Sequence, residues 1–127
     1  MASHSLPDRP KVLVVEDEFI IALDLSETVK DLGYELEGPF AGNEAAFEAI
    51  EQNMPDLAIL DVFIADGEVY PLADKLSKAG VPIIFHSGHV PPEEVKALYP
   101  DARACAKPCP PDQLIDALQE AVGKVHA

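Results

Sequence analysis

The residues that could do chemistry together stand at the ends of short apolar runs. Residues 57–60 form one such run, which ends at Asp61. Residues 12–15 form another, which ends at the adjacent acids Glu16 and Asp17. Short apolar runs between turn signals are typical of strands that are covered on both faces of a sheet. If the two strands are parallel, their acids meet at one edge, where open α/β sheets bind ligands.

Two further polar groups follow predicted strands later in the chain. Ser87 comes shortly after residues 81–85, and Lys107 directly follows residues 102–106. Three carboxylates at one edge repel each other, because two unit charges roughly 4 Å apart interact by about 4 kcal/mol at an effective dielectric of about 20. Either one acid keeps its proton, or a hard dication lies among them. Mg²⁺ suits the second case, since it binds carboxylates together with water and phosphate oxygens.

With such an ion present, Asp61 can act as a nucleophile on a phosphoryl group. The transfer requires in-line positioning and neutralisation of charge on three equatorial oxygens. The ion would contact one oxygen, the Lys107 ammonium another, and the Ser87 hydroxyl with nearby backbone N–H groups the third. The product is an acyl phosphate, which water can later hydrolyse.

The segments between these strands predict the helices that position the site. Helical spacing of apolar residues predicts helices at residues 21–32, 46–54, 72–79, 93–98 and 115–125. Asn43 is the predicted cap of the second helix, and Pro71 and Pro111 open the third and fifth. Gly33 and Gly80 are the predicted ends of the first and third. The fourth helix, of about two turns, is predicted to be short or mobile.

This arrangement of elements predicts an α/β fold. Residues 34–37 alternate and indicate an edge strand before Gly38-Pro39. Strand and helix therefore alternate five times with short connections. That pattern predicts a parallel sheet with right-handed crossovers and helices on both faces.

Composition limits the domain count and the partners. The chain has 127 residues, 48% of them hydrophobic, which suits one domain at residues 11–127 after a flexible N-terminal tail at residues 1–10. Its 23 acids and 9 bases leave a net charge of −14. That charge argues against nucleic acid and anionic membranes as partners. No apolar run approaches the roughly 20 residues that span a bilayer.

The two cysteines indicate the redox environment in which the protein is expected to lie. Cys105 and Cys109 lie four residues apart, and the segment around Cys105 predicts a small buried strand residue. Two cysteines at this spacing do not indicate a disulfide framework, so we expect a reducing, cytoplasmic location.

The candidate residues also resemble a known family. Glu16-Asp17, Asp61, Ser87 and Lys107-Pro108 match, in order and spacing, the receiver domains of two-component response regulators. The resemblance extends from Lys11 to about Val122. It implies a doubly wound, flavodoxin-like (βα)5 fold with a five-stranded parallel sheet in the order 2-1-3-4-5.

The resemblance also implies a metal site. Glu16 and Asp17 correspond to the metal-site acids, Asp61 to the phosphoacceptor, and the backbone carbonyl of Phe63 to a further metal ligand. The implied ion is Mg²⁺, with Mn²⁺ as a substitute. The implied phosphoryl donor is a sensor histidine kinase.

The remaining roles belong to a predicted switch. Ser87 corresponds to the switch hydroxyl, Lys107 to the lysine that contacts phosphate, and Lys107–Pro108 to a cis peptide bond. Gly88 and His89 continue the switch loop. Receivers usually carry an aromatic residue three positions before the lysine, where this chain has Ala104. We therefore expect switching to occur by rearrangement of residues 88–98.

Ala104, with residues 70–74 and 82–89, resembles the divergent "FAT GUY" receivers, although His86, Ser87 and His89 are not the commonest residues of that motif. Members receive phosphate from histidine kinases, often of the HWE type, and several act as stand-alone proteins. The expected function is thus that of a single-domain receiver, a monomer or weak dimer, which is not an enzyme beyond Mg²⁺-dependent self-phosphorylation and autodephosphorylation. Its signal would leave through a downstream regulator or a phosphotransfer protein, or end in a phosphate sink.

Four other interpretations were weighed against the residues. A dehalogenase-type phosphohydrolase requires a second acid two residues after Asp61, where Phe63 stands. A flavodoxin requires a phosphate cradle in the loop at residues 16–18, which is acidic instead. A zinc site would draw on His86, His89 and the two cysteines, but needs four convergent ligands. A binding scaffold that never takes phosphate stays open. Glu18 is predicted to be a solvated acid of the first helical turn.

Overall fold

The structure is a computed structural model that describes residues 9–126. Residues 1–8 of the predicted tail, residue 127 and the side chains of residues 124–126, among them the predicted core residue Val125, lie outside the described part. The strands, in chain order, are β1 (Lys11–Val15), β2 (Glu35–Phe40), β3 (Leu57–Asp61), β4 (Phe63–Ile64), β5 (Gly67–Glu68), β6 (Ile83–Ser87) and β7 (Arg103–Ala106). The helices are α1 (Phe19–Asp31), α2 (Asn43–Gln52), α3 (Tyr70–Lys78), α4 (Pro92–Leu98) and α5 (Pro111–His126).

Five of the strands form one parallel sheet in the order β2-β1-β3-β6-β7. The other two, β4 and β5, pair as a short antiparallel hairpin in the connection after β3. With the hairpin left out of the count, this is the predicted order 2-1-3-4-5, and the predicted fold class is confirmed. Every residue of β3 and β6 is buried, while β2 and β7 are partly exposed edge strands. The continuous apolar runs therefore mark strands covered on both faces.

The two faces of the sheet have separate cores. On one face α1 and α5 pack through Leu25, Val29 and Leu118 against strand residues such as Ile59 and Ile84. On the other face the buried residues of α2, α3 and α4 meet the alternate strand residues. That second core includes Ala46, Ile50, Leu72, Leu76, Val95, Leu13, Leu60 and Phe85. This division of the helices is what a doubly wound sheet requires.

Several local predictions are confirmed and others are corrected. Gly33 and Gly80 have φ values of 83° and 80° after α1 and α3, as the C-terminal signals predicted. Asn43, predicted as the cap of α2, is instead its first residue. The capping groups come from Asp66, whose carboxylate accepts hydrogen bonds from the backbone N–H of Asn43 at 2.7 Å and of Glu44 at 3.1 Å. A cap supplied across 23 positions leaves no local pattern in the sequence.

The prediction for the cysteines was wrong. Cys105 and Cys109 form a disulfide, with their Cα atoms 5.8 Å apart, a usual span for this bond. Cys105 is half-buried on the edge strand β7, and the chain turns directly after it, so that Cys109 returns to its side. The described residues contain no helix that is long and apolar enough to cross a bilayer.

Candidate functional site

Lys107 lies at the centre of the carboxyl edge of the sheet. It follows β7, and its Nζ donates hydrogen bonds to Asp61 Oδ2 at 2.8 Å and to Glu18 Oε1 at 3.0 Å. The same Nζ lies 3.0 Å from Glu16 Oε1. The side chains of Glu16 and Asp61 are buried, whereas that of Glu18 is 61% exposed. The parallel sheet therefore brings the ends of β1, β3 and β7 to one point.

The acids that meet there are not the full predicted set. Glu16, Glu18 and Asp61 each offer a carboxylate oxygen, and the three oxygens lie within 4.8 Å of one another. Asp17 is exposed and lies outside this group. The sequence analysis missed the contact of Glu18 with Lys107. The loop folds so that the Glu18 N–H donates to Glu16 Oε2 at 2.9 Å. The spacing of two residues between Glu16 and Glu18 was the only feature of the sequence that could have indicated that both acids face Lys107.

The electrostatics follow from burial and from the lysine. Burial raises the pKa of Glu16 to about 7, and the charge of Asp61 adds to the shift, although the Glu18 N–H and Lys107 oppose it. Burial alone would lower the pKa of Lys107, but hydrogen bonds to the acids outweigh it and raise that pKa well above its usual range. Lys107 is therefore always charged. A single ammonium therefore faces three carboxyl groups, and it can balance only one negative charge among them.

A divalent cation fits this donor set. Glu16 Oε1 is buried and makes ion-pair contacts without a hydrogen bond of good geometry. A buried carboxylate oxygen without such a partner is costly, and an ion would satisfy it. Three carboxylates in reach of one another are hard oxygen ligands of the kind that Mg²⁺ takes.

The Ser87 hydroxyl lies at the end of β6 and organises the next loop. Ser87 is buried, and its Oγ accepts hydrogen bonds from the Val90 N–H at 3.0 Å and the His89 N–H at 3.3 Å. The Lys107 N–H donates to the Ser87 carbonyl at 2.9 Å, which joins this loop to the one after β7. The Lys107–Pro108 peptide bond is cis, as predicted. A Cβ on Gly88 would lie 3.5 Å from Lys107 Cδ, so Gly88 lies beside the lysine stem.

Aromatic residues fill the region beside Ala104. Ala104 pairs in register with Phe85, and the Tyr99 ring lies 5.1 Å from the Phe85 ring. Tyr99 also stacks on Tyr70 at 6.1 Å, and its Oη donates to Asp74 Oδ1 at 2.6 Å. The sequence analysis missed this cluster, because its members come from three separate elements.

The other predicted residues are placed as follows. Phe63 begins the hairpin after β3, and its ring lies edge-on to His89, 5.9 Å away; the ligand role of its carbonyl stays a prediction. His86 is buried, and burial lowers its pKa to about 4, so its imidazole is neutral. The alternative zinc set does not converge, as the sequence analysis expected: within the described residues 9–126 the acidic group is the one cluster with metal-ligand spacing, and the cysteines are bonded to each other.

Comparisons with known proteins agree on the family. The model of the response regulator receiver domain matches residues 12–119. The chain is 33% identical over 127 residues to the transcriptional regulatory protein PdtaR of Mycobacterium tuberculosis, covering 97% of this chain and 60% of that protein. It is 36% identical over 78 residues to the phyllosphere-induced regulator PhyR of Methylorubrum extorquens, covering 59% of this chain and 29% of that protein.

The solved structures include a similar domain. The solution structure of the PhyR receiver domain of Erythrobacter litoralis is 28% identical, with a TM-score of 0.78, and the match covers 91% of each chain. The chain thus spans less than two thirds of the length of the curated relatives it matches.

Proposed function

Because this chain belongs to the family of response regulator receiver domains, we propose that Asp61 accepts a phosphoryl group from a histidine kinase in a Mg²⁺-dependent reaction. One observation carries the proposal. Asp61 is buried at the end of a central strand, within 2.8 Å of an ammonium and beside two further acids. A carboxylate in this position has its nucleophilic oxygen next to the charge that a transferred phosphoryl group needs.

The residues of the site have separate roles in the transfer. An oxygen of Asp61 forms a bond to phosphorus as the bond between phosphorus and the donor imidazole breaks. The Lys107 ammonium then contacts a phosphoryl oxygen, and the Ser87 hydroxyl, which accepts from two backbone N–H groups, has its proton available for another. Water later hydrolyses the acyl phosphate and releases inorganic phosphate.

The acidic group is the proposed holder of the ion. Glu16, Glu18 and Asp61 would bind Mg²⁺ or Mn²⁺, with Asp17 and the carbonyl of Phe63 as the further predicted ligands. When bound, the ion would supply charge neutralisation for the transferring group.

The proposed signal passes through residues 88–98. When the Ser87 hydroxyl turns toward the phosphoryl group, the hydrogen bonds that hold His89 and Val90 are lost, and the loop before α4 is released. The signal then passes by protein contact to a downstream regulator or phosphotransfer protein. The proposed phosphoryl donor is a histidine kinase, for example one of the HWE type. We place the exchange in the cytoplasm. In the cytoplasm the Cys105–Cys109 disulfide would be a transient one, because cytosolic disulfides are usually redox-sensing or catalytic.

Intact mass after incubation with acetyl phosphate and Mg²⁺ tests the proposal. The wild type should gain one phosphoryl group and lose it on treatment with hydroxylamine, as an acyl phosphate does. Asp61→Asn should gain none. Asp66→Asn is the matched control, since Asp66 is an exposed aspartate five residues later that caps α2, and it should be labelled like the wild type. An unlabelled wild type would favour the binding scaffold.

The same samples report on the switch. With beryllofluoride and Mg²⁺, the amide signals of residues 88–98 should shift in the wild type and not in Asp61→Asn. Labelling without any change in these signals would contradict the proposed switch and leave the phosphoryl transfer intact.

A further inference from the structure

His86 has a buried ring nitrogen without a hydrogen bond. It lies on β6 in register with Asp61 on β3. Only 2% of the residue is exposed, and its Nε2 has no hydrogen-bond partner. A buried polar atom of this kind costs free energy unless something outside the chain binds it.

This nitrogen points at the acidic group. His86 Nε2 lies 3.4 Å from Glu16 Oε1, the carboxylate oxygen that is itself buried without a hydrogen bond. Glu16 in turn belongs to the acidic group with Asp61 and Glu18, whose oxygens lie within 4.8 Å of one another; His86 is outside that mutual spacing and reaches the group through its contact with Glu16. The nitrogen and the oxygen thus face each other at the edge of the acidic group, and the Lys107 ammonium lies 3.0 Å from the oxygen.

We propose that His86 Nε2 is a nitrogen ligand of the divalent-cation site, and that it makes the site favour a first-row transition dication over Mg²⁺. The inference rests on the metal site of the proposed function. The separation of 3.4 Å suits two adjacent ligands of one ion, because bonds of roughly 2.1 Å that meet near the tetrahedral angle place their ligand atoms at about this distance.

The donor chemistry gives the selectivity its direction. Mg²⁺ is bound by oxygen ligands and keeps several waters. Imidazole suits Fe²⁺, Co²⁺, Ni²⁺ and Zn²⁺, and the affinities of mixed sites generally rise from Fe²⁺ through Co²⁺ and Ni²⁺ to Cu²⁺ and fall again at Zn²⁺. A site with oxygen ligands alone also favours these ions to some degree, so the quantity that identifies His86 is the change in selectivity when the imidazole is removed.

A rival account gives His86 a smaller role. In it, the Nε2 proton points to Glu16 Oε1, and the ring only positions that carboxylate. The imidazole then makes no bond to any ion. Direct observation of the ring nitrogen separates the two accounts.

The first measurement uses the wild type, so it does not depend on how a variant folds. The protein is labelled with ¹⁵N-histidine and titrated with Zn²⁺. We expect the Nε2 signal of His86 to shift as an imidazole nitrogen does on metal binding. An unchanged His86 signal at saturating Zn²⁺ would overturn the proposal.

The second measurement compares affinities. Co²⁺ binding is followed by visible absorption and Mg²⁺ binding by calorimetry. In His86→Gln and His86→Ala, Co²⁺ affinity should fall by at least about 10- to 100-fold, since the loss of an outer-shell partner alone costs this much, while Mg²⁺ affinity changes little. Arg103→Met, at the end of β7 away from the acidic group, is the control and should change neither affinity.

The outcomes separate this inference from the proposed function. Equal losses for Co²⁺ and Mg²⁺, or no loss for either, would contradict the role of His86 alone, since the site would still bind Mg²⁺. Absence of binding for every dication in the wild type would contradict the metal site of the proposed function as well.

Discussion

Two basic residues near the ends of one strand have opposite surroundings. Arg103 begins β7 and lies 3.6 Å from Asp116 and 2.9 Å from Glu120, both on α5. Lys107 follows the other end of β7 and contacts Asp61 and Glu16 at 2.8 and 3.0 Å. Their side chains are 37% and 11% exposed, respectively. The distances are similar, but the amount of water around the charges is not.

The comparison indicates that burial, and not the number of ion pairs, decides how much a charged side chain contributes to the free energy of unfolding. The partners of Arg103 are exposed and are solvated without it, so these pairs contribute little. The buried partners of Lys107 come from β3 and the end of β1, and only the fold brings them together. Removing Lys107 would leave them facing each other without a counter-charge.

The largest expected effect is that of Lys107→Met. We expect a loss of about 2–3 kcal/mol in the free energy of unfolding at pH 8, somewhat less than the about 3–5 kcal/mol that the loss of one partner of a buried pair usually costs, because Glu16 can take up a proton. Phosphoryl incorporation from acetyl phosphate should also fall. Urea titration and intact mass measure the two effects. A variant as stable as the wild type would show that the edge is better solvated than its exposure indicates.

A smaller effect concerns pH. The raised pKa of Glu16 makes the folded state hold a proton that the unfolded state has lost, so this group lowers stability as pH rises from 4.5 to about 7. The lowered pKa of His86 acts in the opposite direction, and this group raises stability as pH rises from about 4 to 6.5. The two effects largely cancel in the wild type.

Single substitutions should separate the pH effects of Glu16 and His86 on stability. Between pH 4.5 and 6.5, in EDTA, the unfolding free energy of Glu16→Gln should rise with pH relative to the wild type, and that of His86→Gln should fall. Each slope is at most about 1.4 kcal/mol per pH unit, the value for one proton. Parallel pH profiles for the three proteins would contradict the assigned pKa directions.

The smallest effect is expected at the other end of β7. Arg103→Met should change the free energy of unfolding by less than about 1 kcal/mol, because its ion pairs are exposed. Raising the salt concentration to about 1 M should remove most of that difference, since the Debye length is then about 3 Å. The effect of Lys107→Met should persist in the same buffer. If both substitutions lose their effects in salt, burial does not distinguish the two sites.

The sequence by itself determined the strands of the main sheet and placed Glu16, Asp61 and Lys107 at its carboxyl edge. Continuous apolar runs before Glu16 and Asp61 marked the buried strands and where they stop. The parallel arrangement then brings the strand ends to one side, and Lys107 joins them from β7. These features are local and periodic, so a single chain carries them in readable form.

Only the tertiary structure decided the details around that edge. It placed Glu18 and not Asp17 in the acidic group, and set the unsatisfied nitrogen of His86 against Glu16. It also brought Cys105 to Cys109 and put the Asp66 carboxylate at the start of α2. The direction of a loop side chain depends on backbone angles and on neighbours from distant parts of the chain, and no hydrophobic period records either.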